Sequence, residues 1–194
     1  MDNGELNRLL GNLDLFILDQ ILKGRFNPEM KILDAGCGEG RNLNYFFHHN
    51  YQVYGIDKNP AAIRMVHFLL RSTFPGVSPD QFSVGAIESM PFRNEYFDVI
   101  LCQAVLHFAQ NQEHFTSMFE ELHRCLRPKG ILLISCAYQG AGVTGPEETP
   151  FSFFLDDPSI KQLEQNYTLR KLSPAKTVRF GQGPLIIELI MEKQ

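Results

Sequence analysis

The chain has 194 residues, 44% hydrophobic and 21% charged, enough for one domain (residues 1–194) with a sizeable core. Its net charge of −4 offers no broad basic field to neutralise a phosphate backbone, which argues against nucleic acid as the main substrate. No apolar run is long enough to span a bilayer, and residues 1–5 carry neither a basic n-region nor an apolar h-region, so no membrane partner and a cytoplasmic location are expected.

Leu9, Leu10, Leu13, Phe16, Ile17, Ile21 and Leu22 recur at helical spacing, which predicts an amphipathic helix or helix pair over residues 5–24. Residues 31–33 form a short β-run entering a turn punctuated by Gly36, Gly38 and Gly40, and residues 41–48 read as a helix. A strand, a glycine turn and a helix N-terminus bring backbone N–H groups to one point, where glycines admit a ligand to the main chain. Residues 52–56 are a second strand ending in Asp57. Asn59-Pro60 then supplies an N-cap and a first helical position, with Ile63, Val66 and Leu70 inward.

Residues 82–84 and 97–102 predict two further strands, with Asp98 at the start of the second. Asn111 or Gln112 begins a helix with Phe115, Met118, Phe119, Leu122 and Leu126 inward, supported by a Glu120–Arg124 pair and ended by Pro128-Lys129-Gly130. Residues 131–135 are a fifth strand. Residues 138–150 are rich in glycine and proline and read as a mobile loop. A helix follows from Asp156 to about Asn166. Residues 168–172, 176–180 and 185–191 carry β-signals, two of which are expected to pair as a terminal antiparallel hairpin.

This alternation predicts an α/β fold: a doubly wound, mostly parallel seven-stranded sheet with helices on both faces and a C-terminal antiparallel hairpin. Ligands of such sheets bind at the carboxyl ends of strands, and Asp34, Asp57, Ala86 and Gln103 fall at or just past such ends. The four cysteines are scattered and read as free buried thiols in a reducing compartment. His48, His49, His67, His114 and His123 show no ligand spacing, so no metal is expected.

The glycine spacing separates the cofactor classes. Counting from Gly36, the third position is Gly38 but the sixth, glycine in a dinucleotide fingerprint, is Arg41. No Gly-Lys-Ser/Thr follows to make a P-loop. Asp34 followed by Gly36, Gly38 and Gly40 resembles instead the first motif of class I S-adenosylmethionine-dependent methyltransferases. Residues 97–108, Phe-Asp-Val-Ile-Leu-Cys-Gln-Ala-Val-Leu-His-Phe, resemble the family's fourth motif. Met90-Pro91-Phe92 aligns with its Leu-Pro-Phe signature, and residues 126–131 match the turn before strand five. The resemblance covers roughly residues 30–137. Gly-Cys-Gly-Glu-Gly-Arg-Asn together with Asp57-Lys58-Asn59 also looks like the branch that includes tellurite-resistance-type methyltransferases.

The resemblance implies S-adenosyl-L-methionine as cofactor and in-line methyl transfer to a small-molecule acceptor. It implies that the turn of Asp34, Ala35, Gly36 and Gly38 receives the methionine end, with Arg41 near the cofactor carboxylate or an anionic substrate, or else capping a helix. Asp57, 21 positions after Gly36, would accept both ribose hydroxyls, and the Lys58 stem would flank the adenine. The family's usual acidic adenine ligand is replaced by Ala86, which leaves the Ile87 N–H for the ring. Gln103 would lend its carbonyl to the ammonium. His107 either faces the active rim or packs. His107, Tyr138 and Asp14 are the general-base candidates, and residues 1–27 the candidate lid, with Asp14, Gln20 and Arg25 as its polar face. A non-catalytic S-adenosylmethionine- or S-adenosylhomocysteine-binding regulator is the second reading and a nicotinamide-dependent oxidoreductase the third. A monomer or homodimer is expected.

Overall fold

Short polar side chains that accept from the backbone set most of the helix starts. The computed structural model describes residues 2–140, 149–179, 181 and 183–194, which fall into two compact units, Met1–Pro91 and Phe92–Gln194.

In the first unit, α1 (Asn3–Leu10) opens with a capping box in which Asp2 and Glu5 each accept the other's N–H at 2.8 Å. Asp14 starts α2 (Leu15–Leu22) by accepting from the Phe16 N–H at 2.9 Å. The N-terminal stretch is therefore a helix pair. β1 (Lys31–Ala35) pairs in parallel with β2 (Gln52–Asp57), and β2 with β3 (Phe82–Val84). Between β1 and β2 the helix expected over residues 41–48 shrinks to α3 (Asn44–His48). The cause is local: Gly38 and Gly40 hold positive φ, and the turn bonds Gly40 N–H to Cys37 O and Leu43 N–H to Gly40 O occupy that stretch. α4 (Pro60–Thr73) buries Ala62, Ile63, Val66 and Leu70 on one face.

In the second unit, β4 (Phe97–Gln103) is buried throughout and runs parallel to β5 (Leu126–Tyr138). α5 (Gln112–Cys125) lies between them in the chain, capped by Asn111. Arg124 of α5 grips Glu121 at 2.6 and 2.7 Å, one position from the Glu120 partner that i,i+4 spacing suggests. β5 is longer than the expected 131–135 because the chain straightens directly after Cys125. Leu126 pairs with Phe97, the register shifts, and Lys129 at φ +63 absorbs the irregularity before Ile131 pairs with Val99. α6 (Asp157–Asn166) starts on Asp156, which accepts from the Ser159 N–H at 2.8 Å. β6 (Leu169–Lys171) and β7 (Lys176–Arg179) both pair antiparallel with β8 (Leu185–Lys193), which itself pairs antiparallel with β5. All three C-terminal β-signals are thus strands.

The fold class is as expected, α/β with a mostly parallel sheet, helices on both faces and an antiparallel C-terminal section, with eight strands among the described residues where seven were expected. Among the described residues no helix is long and apolar enough to cross a membrane. Of the loop expected at 138–150, residues 141–148 lie outside the described residues. Cys37, Cys102, Cys125 and Cys136 are free and buried.

Gly55 tests the packing under the glycine turn. A Cβ there would meet the Phe82 ring at 2.6 Å and Cys37 Sγ at 3.0 Å, and Phe82 is only 2% exposed. Gly55→Ala is expected to cost about 1–3 kcal/mol through overpacking, read as a lower midpoint in urea unfolding with an unchanged slope. An unchanged midpoint would show that the ring yields freely.

Candidate functional site

The first unit gathers its predicted residues around the glycine turn. Gly36 and Cys37 N–H groups donate to Ile56 O at 2.8 and 3.1 Å, which clamps the turn onto the end of β2. Asp57 completes the clamp: Oδ2 accepts from the Gly38 N–H and Oδ1 from the Asn59 N–H, each at 2.8 Å. Gly85 N–H donates to Asp57 O at 3.0 Å, so the chain toward Ala86 and Ile87 leaves from the same strand end. Ala86 stands at the N-cap of the turn Ile87–Ser89 with no side-chain bond, Ile87 is buried, and Lys58 is exposed.

Asp34, at the end of β1, is 1% exposed, and its Oδ2 has no hydrogen-bond partner among the described residues. Burial pushes its carboxyl up to about 7; the Arg41 guanidinium pulls it down, and the Asp57 and Asp14 carboxylates push it further up. Arg41 itself is half-exposed and lies 3.5 Å from Asp14 Oδ2. No helix begins at Arg41, so it caps none.

Asn42, the last residue of the Gly-Cys-Gly-Glu-Gly-Arg-Asn run, and Asn44, which belongs to no motif, anchor the N-terminal helices here. Asn42 Oδ1 accepts from the Asp14 N–H at 3.1 Å, and Asn44 Nδ2 donates to Arg8 O and Leu9 O at 2.6 and 2.9 Å. Their shared sequence signal is their place just past the glycines. Gln20 is fully buried, while a surface groove lined by Glu5, Arg8, Leu9 and His48 includes none of the predicted residues.

The second unit holds Gln103, His107 and Tyr138. Gln103 ends β4 and is 5% exposed, with neither amide atom partnered among the described residues. Ala104 follows at φ +59, its N–H donating to Ser135 Oγ at 2.9 Å. His107 is buried; its carbonyl accepts from the Ser152 and Phe153 N–H groups at 3.0 and 3.1 Å, and its ring lies on Phe151 with centroids 3.8 Å apart. Burial lowers the imidazole to about 4, and Nδ1 has no partner among the described residues. Tyr138 donates its hydroxyl to Asp157 Oδ1 at 2.8 Å, and that bond raises its pKa. Phe151 is the residue sequence reasoning missed. It follows a Gly/Pro-rich stretch with no motif, and only the Phe-Ser-Phe-Phe-Leu run at 151–155 hints at a docked segment.

Of the other histidines, His67 Nε2 meets Phe82 O at 3.0 Å, His114 Nδ1 accepts from the Gln110 N–H at 3.1 Å, and His123 packs on Tyr167. Among the described residues no three His, Cys, Asp or Glu side chains are grouped to hold a metal ion.

The profile of the methyltransferase domain family matches residues 33–134. An uncharacterized methyltransferase of Bacillus subtilis (strain 168), YodH, is 33% identical over 107 residues, covering 55% of this chain and 43% of its own length. A phthiotriol/phenolphthiotriol dimycocerosates methyltransferase of Mycobacterium leprae is 35% identical over 104 residues, 53% of this chain and 36% of its own. The match thus spans less than half the length of these curated relatives. Among solved structures, a SAM-dependent methyltransferase of Methanosarcina mazei shares a TM-score of 0.71 at 22% identity, over 89% of this chain and 96% of that one. TehB of Haemophilus influenzae also gives 0.71, at 20% identity, over 91% and 62%. At these identities the structural likeness is one of fold.

Asp34 sets a pH dependence with a definite sign. Its carboxyl is held at about 7 in the folded chain against an ordinary 3.8, so the stability tied to its neutral form is full below about 4 and is lost as pH rises through about 7. Asp34→Asn is expected to come within about 1 kcal/mol of the wild type in thermal melts at pH 4 and to exceed it at pH 8 by roughly 2–4 kcal/mol. An equal difference at both pH values would show that Asp34 is ionised throughout.

Proposed function

The chain belongs to the methyltransferase domain family, and we propose that it transfers a methyl group from S-adenosyl-L-methionine to a small-molecule acceptor. The observation that carries this reading is Asp34, a buried carboxylate with an unpartnered oxygen at the mouth of a glycine turn. Leaving such a group without a partner is costly, and a ligand ammonium would satisfy it. The rest of the first unit's cradle fits the same ligand. A Cβ at Gly38 would meet nothing within 4 Å, so the main chain is open to a ligand carboxylate. Asp57 uses one lone pair of each oxygen on a backbone N–H, which leaves acceptor capacity on both for a ribose diol. Lys58 can lay its stem beside an adenine. Ala86 brings no carboxylate, so adenine recognition falls to the main chain at Ile87. The α1–α2 pair, tied to the turn through Asn42, Asn44 and Arg41, serves as the lid on this cradle.

When bound, S-adenosylmethionine supplies a methyl group on a sulfonium, a leaving group that needs no proton. The residues of the chain hold and align the reactants for in-line displacement and exclude water, and proximity provides much of the rate. The three base candidates are all poor bases. His107 is held neutral, Tyr138 is bonded to Asp157, and Asp14 caps α2 and faces Arg41. The reading therefore favours nucleophiles that need no strong base, such as thiol, selenium or tellurium species. Ala86 favours one second reading, a non-catalytic cofactor-binding regulator. Turnover against thiol, oxyanion and phenolic acceptors separates the two.

Calorimetric titration of the ligand-free chain with S-adenosylmethionine, S-adenosylhomocysteine and NAD tests the cofactor. Micromolar binding of the first two and none of NAD is expected, with Asp57→Ala weaker at least tenfold, about 1.4 kcal/mol. NAD binding alone would overturn the assignment. S-adenosylhomocysteine affinity is also expected to fall on moving from pH 8 to pH 6, as Asp34 takes up a proton, and to lose that dependence in Asp34→Asn.

A further inference from the structure

The end of β4 carries polarity that the fold does not use. Val99, Ile100, Leu101 and Cys102 on β4 are fully buried and apolar, yet the strand ends in Gln103, whose Oε1 and Nε2 are both buried without a partner among the described residues. Four residues on, His107 Nδ1 is in the same condition. Leaving a buried amide or imidazole without its hydrogen bond is destabilising, so a leucine or methionine at position 103 would be the more stable core residue. The surroundings are aromatic. Phe151 lies on the His107 ring, and Phe108, 47% exposed, stands edge-on to both at 4.6 and 5.6 Å between centroids. An exposed ring beside a buried, unsatisfied imidazole nitrogen is the composition of a small-molecule subsite, a polar group on an apolar wall.

We propose that the Gln103 side chain, with His107 Nδ1, reads the methyl acceptor, and that it selects an uncharged hydroxyl or amide carried on a flat apolar body. This rests on the methyltransferase reading above and deepens it. The charge argument excludes an anionic group: the amide is neutral, and burial keeps the imidazole neutral as well, so the pair can donate and accept but offers no cation to a carboxylate. The amide supplies one donor group and one acceptor, which matches a hydroxyl or a carboxamide better than an alkyl group. Phe151 covers the His107 ring, so an acceptor that reaches Nδ1 shares or displaces that stack. The hydroxyl or amide is a recognition handle, and the nucleophile is a separate group of the acceptor. A site built on buried hydrogen-bonding groups discriminates against analogues that lack the partner group, because an analogue bound there leaves the site's own atoms unpaired.

The test uses the full chain loaded with S-adenosylhomocysteine and four probes of one shape: phenol, benzamide, benzoate and toluene, followed by ligand-observed NMR. Phenol and benzamide are expected to bind at least tenfold tighter than toluene and benzoate. Gln103→Leu is expected to erase that preference while melting higher than the wild type, because it removes an unsatisfied amide; Gln103→Met repeats the measurement with an unbranched side chain. Any of four results would overturn the proposal: benzoate binding as well as phenol, a preference that survives both substitutions, a lower melting temperature in both variants, or a more than fivefold loss of S-adenosylhomocysteine affinity in both, which would assign the side chain to the cofactor. The absence of any probe binding at millimolar concentration would overturn it too. Failure of S-adenosylhomocysteine to bind would remove the cofactor reading instead, and the probe preference would then be read on the unloaded chain.

Discussion

The Asp57 carboxylate is the joint on which the first unit depends. Both of its oxygens accept from main-chain N–H groups, one in the glycine turn after β1 and one at the start of α4. A carboxylate that takes backbone donors forms stronger bonds than a neutral acceptor does. This single side chain therefore fixes the loop geometry at the ends of two adjacent parallel strands. Gly55, which lets the Phe82 ring and Cys37 pack against β2 where a Cβ would stand, makes the same arrangement possible from below. The turn is preorganised by bonds internal to the chain, and ligand binding has little main-chain ordering left to do.

Burial acts in the same direction on two chemically opposite groups. Asp34 in the first unit and His107 in the second are each pushed toward their neutral forms, the acid upward and the base downward. Each also leaves an atom without a partner among the described residues. A fold selected for stability alone would replace such residues with apolar ones, as it has along most of β1 and β4. Their retention marks where stability was given up: Asp34 lies at the end of β1 and His107 in the turn that follows the end of β4, where parallel sheets meet their ligands.

Much of this was legible in the sequence because the signals are local. Asn59-Pro60, Asn111 and Asp156 name their helix starts, and the apolar runs name strands within a residue or two. Asp34, Gly38 and Asp57 stand out through their place at strand ends together with the resemblance to the family's first motif. What was not legible is set by tertiary contact. The helix after the glycines starts three residues late because the turn bonds claim Leu43. β5 runs on from Leu126 because a positive φ at Lys129 reconciles its register with β4. Phe151 meets His107 across more than forty residues of chain, and no pattern in either segment announces the other.

The C-terminal strands have one more consequence. β8 is paired on one side along its length by β5, while its other side is shared by β6 and β7, three and four residues long, placed one after the other. The outward row of backbone groups is thus broken into two short pieces, and Arg170, Lys176 and Arg179 stand exposed along it. Interrupted, cationic edges are poor templates for a further strand. β8, the longest of the three C-terminal strands, is in this way shielded from fibril-like stacking with its own copies, a safeguard written in strand length and charge.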